Sequence, residues 1–199
     1  MGTIKPLINI LIRNSEGRQT KYHRALTSIS NQTYKNVKII SCYDFSLASL
    51  GLHEAPFEFY IEPKKYLGEF YYNDYCNNLK GKVKEGWFFF LDSDDYLADD
   101  TVLEKLAEHL NDDYYAIVCQ MSRDNGKVKP SDEVMNSGEI ISGRIGMPCL
   151  VLNSKLAFVA DIPAVENGDY LWINEVVSKV PTKFVKQVLV HSPGRSFGL

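Results

Sequence analysis

Residues 87–97 read WFFFLDSDDYL, which places Asp92, Asp94 and Asp95 directly behind a run of apolar side chains. Three carboxylates this close repel one another, so a cation or a helix N-terminus must neutralise them or their pKa values rise and stability falls. Alternate residues of a D-x-D pattern can turn two carboxylates toward one hard cation, which takes oxygen ligands and usually keeps phosphate oxygens among them. The plainer reading is loop and cap aspartates ahead of a helix. An EF-hand fails, because Leu97 stands where that loop needs glycine and Leu103 where it needs its bidentate glutamate. Two chemistries stay open. One is an aspartyl-phosphate hydrolase with Asp92 as nucleophile and Asp94 as acid-base; a cluster on the fourth strand and Tyr96 two places after the second aspartate count against it. The other is a nucleotide-diphosphate sugar site.

The elements that must position these carboxylates are readable from pattern. Runs rich in β-branched and aromatic residues predict strands over 6–12, 36–43, 57–62, 87–92, 114–121 and 184–191. Tyr22, Ala25, Leu26 and Ile29 share one helical face, as do Leu103, Leu106, Ala107 and Leu110, and Ile173, Val176, Val177 and Val180. Thr101 and Glu104 have capping-box spacing. The Gly-, Ser- and Asp-rich stretch 122–146 predicts a turn followed by a long connection. Strands alternating with helices, the early ones too apolar for a solvent-facing sheet, predict an α/β fold with a mainly parallel sheet covered on both faces. In such sheets ligands bind beyond the carboxyl ends of the strands, and Asp92 ends a very apolar one.

With 199 residues the chain is long enough for one substantial core. Lys+Arg 22 against Asp+Glu 25, without a basic block, argues against a nucleic-acid partner. Four scattered cysteines with no CxxC pair suggest reduced thiols, hence a cytoplasmic setting, and give zinc little support. The opening MGTIKPLINILIRN is too short in apolar residues for a signal peptide, and no run approaches the ~18 residues of a membrane helix.

Several segments carry a family likeness. INILIRNSEGR, with Arg13 and Asn14, resembles the first strand and nucleotide loop of the family 2 type glycosyltransferases of GT-A fold. RALTSISNQTYKNVKIISCYD resembles the first helix and second strand of that family, ending at Asp44. GWFFFLDSDDYL resembles its metal-binding segment, and GRIGMPCLVLNSKLAFVA followed by GDYLWI its acceptor-side strand and helix. The likeness runs from about residue 6 to 175.

The resemblance implies a single GT-A domain, with about 1–95 as the nucleotide-sugar half and about 96–199 as the acceptor half, within a polypeptide that can hold further domains. It implies a metal-dependent transferase moving sugar from a nucleotide-diphosphate donor, foremost a UDP-sugar, to a glycan or other hydroxyl acceptor with inversion. Asp94 would bind Mn²⁺ or Mg²⁺, with Asp92 on the donor's ribose or sugar and Asp95 on donor or acceptor. Asp44 would face the base, and Asn73 and Asn77 would lie near the nucleotide or sugar. Asp169 is the first choice of general base, with Glu166 as the alternate; a helix-capping role for Asp169 is the competing reading. His191 would complete the metal shell, with a purely structural histidine as the competing reading; Arg195, in its Gly-flanked tail, could reach the diphosphate or equally be solvated. Tyr71, Tyr72, Tyr75, Trp87 and Trp172 include candidate sugar-stacking rings, although core packing explains most aromatics at such spacing. A hydrolase, or a non-catalytic nucleotide-sugar or carbohydrate-binding domain, is the alternative.

Overall fold

The computed structural model describes residues 5–14, 18–43, 58–61, 69–111, 113 and 115–193. Among them one sheet runs in the order β3-β2-β1-β4-β8-β6-β9-β5, with β7 paired to β6. Strands β1 (Ile8–Asn14), β2 (Val37–Tyr43), β3 (Glu58–Ile61) and β4 (Trp87–Phe90) are parallel neighbours. Beyond β4 the sheet turns mixed. β8 (Leu150–Asn153) runs antiparallel to both β4 and β6 (Ala116–Arg123), whereas β9 (Thr182–Ser192) is parallel to β6. The two-residue strands β5 (Tyr96–Leu97) and β7 (Val128–Lys129) are antiparallel to β9 and β6. The sheet is thus mostly but not purely parallel.

The predicted strands are all present, with bounds moved by a few residues. Their central positions are fully buried: Ile8, Ile10, Leu11, Phe88, Phe89, Ile117 and Val118 expose nothing. That is why the sequence reads as continuous apolar runs rather than as alternation. Gly86 makes the approach of β4 to β1 possible. Its φ of 80° is left-handed, and a Cβ there would lie 2.4 Å from the Leu7 carbonyl, which accepts the Trp87 N–H at 2.8 Å.

Helix α1 (Gln19–Ser30) buries Tyr22, Ala25, Leu26 and Ile29 as its spacing predicts. Helix α2 (Tyr72–Lys80) packs on β1 and β2, and α5 (Gly168–Lys179) sets Trp172 edge-on to Phe90, with centroids 5.6 Å apart. Helix α3 (Val102–Ala107) follows Thr101, but the capping box does not form. Asp99 Oδ1, two residues back, accepts from both the N–H and the hydroxyl of Thr101 at 2.7 Å, while Glu104 accepts from Thr33 at 2.8 Å. A nearer carboxylate has outcompeted the box. The stretch 122–146 is also more ordered than expected. It holds the β6–β7 hairpin and α4 (Asp132–Ser137), which is capped by Ser131 and closed by Gly138 in the left-handed region. Among the described residues no helix is long and apolar enough to cross a membrane.

Candidate active site

The carboxyl ends of β1 and β4, the start of α2 and the start of α5 surround a cleft of about 590 Å³. On its floor, Leu91 continues β4 by donating to Leu11 O at 2.9 Å, and the Asp95 N–H closes a turn on Asp92 O at 2.9 Å. The turn brings all three aspartates to the cleft, where each has a different partner.

Asp92 pairs with Arg13, whose Nη2 lies 3.3 Å from Oδ1 and whose guanidinium lies over the Tyr72 ring at 4.6 Å. Burial works against the Arg13 charge, but Asp92 and its neighbours outweigh it and the pKa is raised, so the pair stays ionic. Asp94 sits at the mouth beside α1. Arg18 Nη1 is 3.4 Å from one carboxylate oxygen, Lys21 Nζ is 4.0 Å from the other, and Arg24 donates to the Asp94 carbonyl at 3.1 Å. Asp95 is buried. Desolvation first, then Asp92 and Asp94, push its carboxyl up to about 8 against the opposing pull of Ser192 and Arg123.

Asn14 ends β1 and is 2% exposed, yet neither end of its amide has a hydrogen-bond partner among the described residues. A buried amide left unmatched costs stability unless a ligand or water satisfies it. Across the cleft, Arg123 likewise leaves a buried Nε without a partner.

The opposite wall is the start of α5. Asn167 takes a left-handed φ of 55°, and Asp169 follows in the first turn, its Oδ1 accepting from the Tyr170 N–H at 2.8 Å. Burial, followed by the nearby charge of Asp92, raises the Asp169 pKa despite that hydrogen bond. This suits a proton acceptor better than an ordinary surface carboxylate would. Glu166 lines the same wall but is exposed.

Helix α2 holds this wall in place. Asn73 Nδ2 donates to Pro163 O at 2.7 Å, Asn77 bonds the Ile162 peptide, and the fully buried Lys80 donates to Ala160 O and to Asp161 at 2.9 Å. Asn73 lines the cleft, whereas Asn77 does not and spends its amide on the scaffold. Gly168 fits tightly beneath. A Cβ there would be 2.2 Å from Pro163 O and 2.5 Å from Asn73 Nδ2.

His191 stands apart from the cleft lining. Its Nδ1 meets Ser122 Oγ and its Nε2 meets Asp124, both at 2.9 Å, and its ring packs on Tyr96. Tyr71, Tyr72 and Tyr75 line the cleft, whereas Trp87 and Trp172 are core. Asp44 and Arg195 lie outside the described residues. Arg18, Lys21, Arg24 and Arg123 were not singled out from sequence. The three-residue spacing of the first three was the available signal, since it puts them on neighbouring parts of one helix surface.

Among the described residues no three His, Cys, Asp or Glu side chains form a ligand cage. Asp92 and Asp94 are the carboxylates of the cleft that could hold Mg²⁺ or Mn²⁺. Both are partly exposed hard-oxygen donors, and these ions commonly use one or two carboxylates together with substrate phosphates and water.

Residues 72–150 match the family model described as glycosyl transferase family 2. No curated protein matches the sequence. Among solved structures, S. aureus TarS 1–349 superposes with a TM-score of 0.74 at 11% identity, covering 94% of this chain and 60% of that one. The same fragment in complex with UDP-GlcNAc gives 0.72 at 12% identity, covering 96% and 60%. The mannosyltransferase PcManGT from Pyrobaculum calidifontis, in complex with GDP-Man and Mn²⁺, gives 0.66 at 11%, covering 98% and 59%. The chain thus spans about three-fifths of the length of these structures. The match covers the helix, strand and aspartates that build the cleft floor, and the superpositions cover nearly all of the fold. Residues 72–150 are thus similar to the glycosyl transferase family 2 model, and the chain as a whole has the GT-A fold of these solved glycosyltransferases.

Proposed function

We propose that this cleft transfers a sugar from a nucleotide-diphosphate donor, foremost a UDP-sugar, to a hydroxyl of a glycan or other acceptor, with inversion. The observation that carries the reading is the pairing of opposite walls: the aspartate run at the end of β4 faces Asp169 at the start of α5 across one cleft. TarS has been solved in complex with UDP and with UDP-GlcNAc, which supports the donor class, and PcManGT in complex with GDP-Man, which makes GDP the competitor to test.

In this reading Asn14 takes its missing hydrogen bonds from the nucleotide, and Arg13 orients Asp92 toward the donor. Asp94, with Asp92, holds a divalent cation, which when bound supplies positive charge to the departing diphosphate. The tyrosines of α2 give the sugar an apolar wall. Asp169 accepts the proton of the acceptor hydroxyl as that oxygen attacks the anomeric carbon and the nucleoside diphosphate leaves from the opposite face. Glu166 is the alternate base. His191 as a further ligand would first have to give up Asp124 or Ser122. Four buried thiols support a reducing, cytoplasmic setting.

Calorimetric titration of UDP, GDP and their sugars with Mn²⁺, Mg²⁺ or chelator, on wild type and Asp94→Ala, tests the reading. Metal-dependent binding of one nucleotide that disappears in the variant is the expected result. Absence of nucleotide binding with every metal overturns it.

A further inference from the structure

Resting on that donor-and-cation reading, we propose that Arg18 is a two-position residue: it neutralises Asp94 in the donor-free protein and turns to the donor's diphosphate when a divalent cation takes Asp94. The two arginines beside the aspartates are held very differently. Arg13 grows from the buried strand β1 and is fixed between Asp92 and the Tyr72 ring, with its side chain 21% exposed. Arg18 sits just before α1, lines the cleft, is 43% exposed and reaches Asp94 at 3.4 Å. Lys21, one turn further on, stands 4.0 Å from the other oxygen.

Exposed pairs of this kind are weak, so a doubly charged ion can displace them. The displaced guanidinium would then lie beside the cation and its phosphate ligands, where its planar fork can donate to two oxygens. Arg24 keeps the geometry during the exchange. It holds the Asp94 backbone carbonyl rather than the carboxylate and is itself stacked over Tyr96 at 4.4 Å, so the peptide stays docked on α1 while the side chain changes partner. The first turn of α1 contains no acidic residue that would capture Arg18 instead.

The exchange predicts effects of opposite sign from one substitution. In Arg18→Gln, Mn²⁺ alone should bind roughly threefold tighter, because a competing cation is gone. UDP in the presence of Mn²⁺ should bind about tenfold more weakly, because a charged hydrogen-bond partner is gone. Arg18→Lys should return Mn²⁺ affinity to wild type while leaving UDP binding weak. Electron paramagnetic resonance counts free Mn²⁺, calorimetry reads UDP and GDP, and circular dichroism checks the fold of each variant. Unchanged or weaker Mn²⁺ binding in Arg18→Gln, or undiminished nucleotide binding, overturns the exchange. Wild type that takes up no Mn²⁺ with either nucleotide overturns the cation reading itself, an outcome distinct from Mn²⁺ binding that ignores Arg18.

Discussion

Asn77 grips the Ile162 peptide from both sides, its Nδ2 donating to the carbonyl and its Oδ1 accepting from the N–H, each at 2.9 Å. The pair of hydrogen bonds fixes the amide orientation and ties α2 to the segment that leads into α5. Asn77→Leu leaves both peptide groups without that partner, and we expect a loss of about 1–3 kcal/mol in urea unfolding. A nucleotide-binding role alone would leave stability untouched.

Gly168→Ala should disturb the same wall from beneath. The added carbon would meet Pro163 O and the Asn73 amide well inside contact distance, so backbone must move. A cost of roughly 2 kcal/mol is expected, with turnover reduced more than donor affinity because Asp169 is the next residue. A thermal melt beside a donor titration separates the two effects.

Asp169→Asn should preserve donor binding within about twofold while lowering sugar transfer by at least ~100-fold, the usual scale for a lost general base. Because burial and Asp92 raise the Asp169 pKa, the acid limb of the wild-type rate profile should lie above the ordinary carboxylate range. Loss of donor binding in parallel with turnover would move Asp169 from the acceptor to the donor side.

Asp95 gives a stability signature that can be read without substrate. Its folded-state carboxyl is pushed to about 8, chiefly by burial, from the 3.8 of an ordinary aspartate. The native state therefore keeps a proton that the unfolded chain has already released. Stability from this group is present in acid and is lost as pH rises from about 4 toward 8. In chelator, Asp95→Asn should resemble wild type near pH 4 and become progressively more stable than it toward pH 8. A gap that is constant across that range would contradict the raised pKa.

The parts legible in the sequence were those written in contiguous residues. The apolar runs gave β1, β2 and β4 because their side chains are buried on both faces. The aspartate run lay where a buried strand ends. Strand direction was not legible, since LVL at 150–152 reads the same whether β8 runs parallel or antiparallel to β4. The two-residue strands β5 and β7 are too short to carry a period, and Asp99 took the helix start that Thr101 and Glu104 had promised. Pairings such as Arg18 with Asp94 join residues far apart in the chain, and no local pattern encodes which cation meets which carboxylate.

The grip of α2 on residues 160–163 also constrains how the protein can be made. Asn73, Asn77 and Lys80 bond to groups that lie 80 to 90 residues downstream, and β4 finds its second neighbour only at β8. A nascent chain ending at residue 95 has an open sheet edge and a lysine ammonium whose burial partner is still unsynthesised. Closing such long loops precedes any reward from the contacts that they allow, which makes folding slow. The part of the sheet up to β4 is therefore not a separable unit: expressed alone, it would lack the segment that shelters α2.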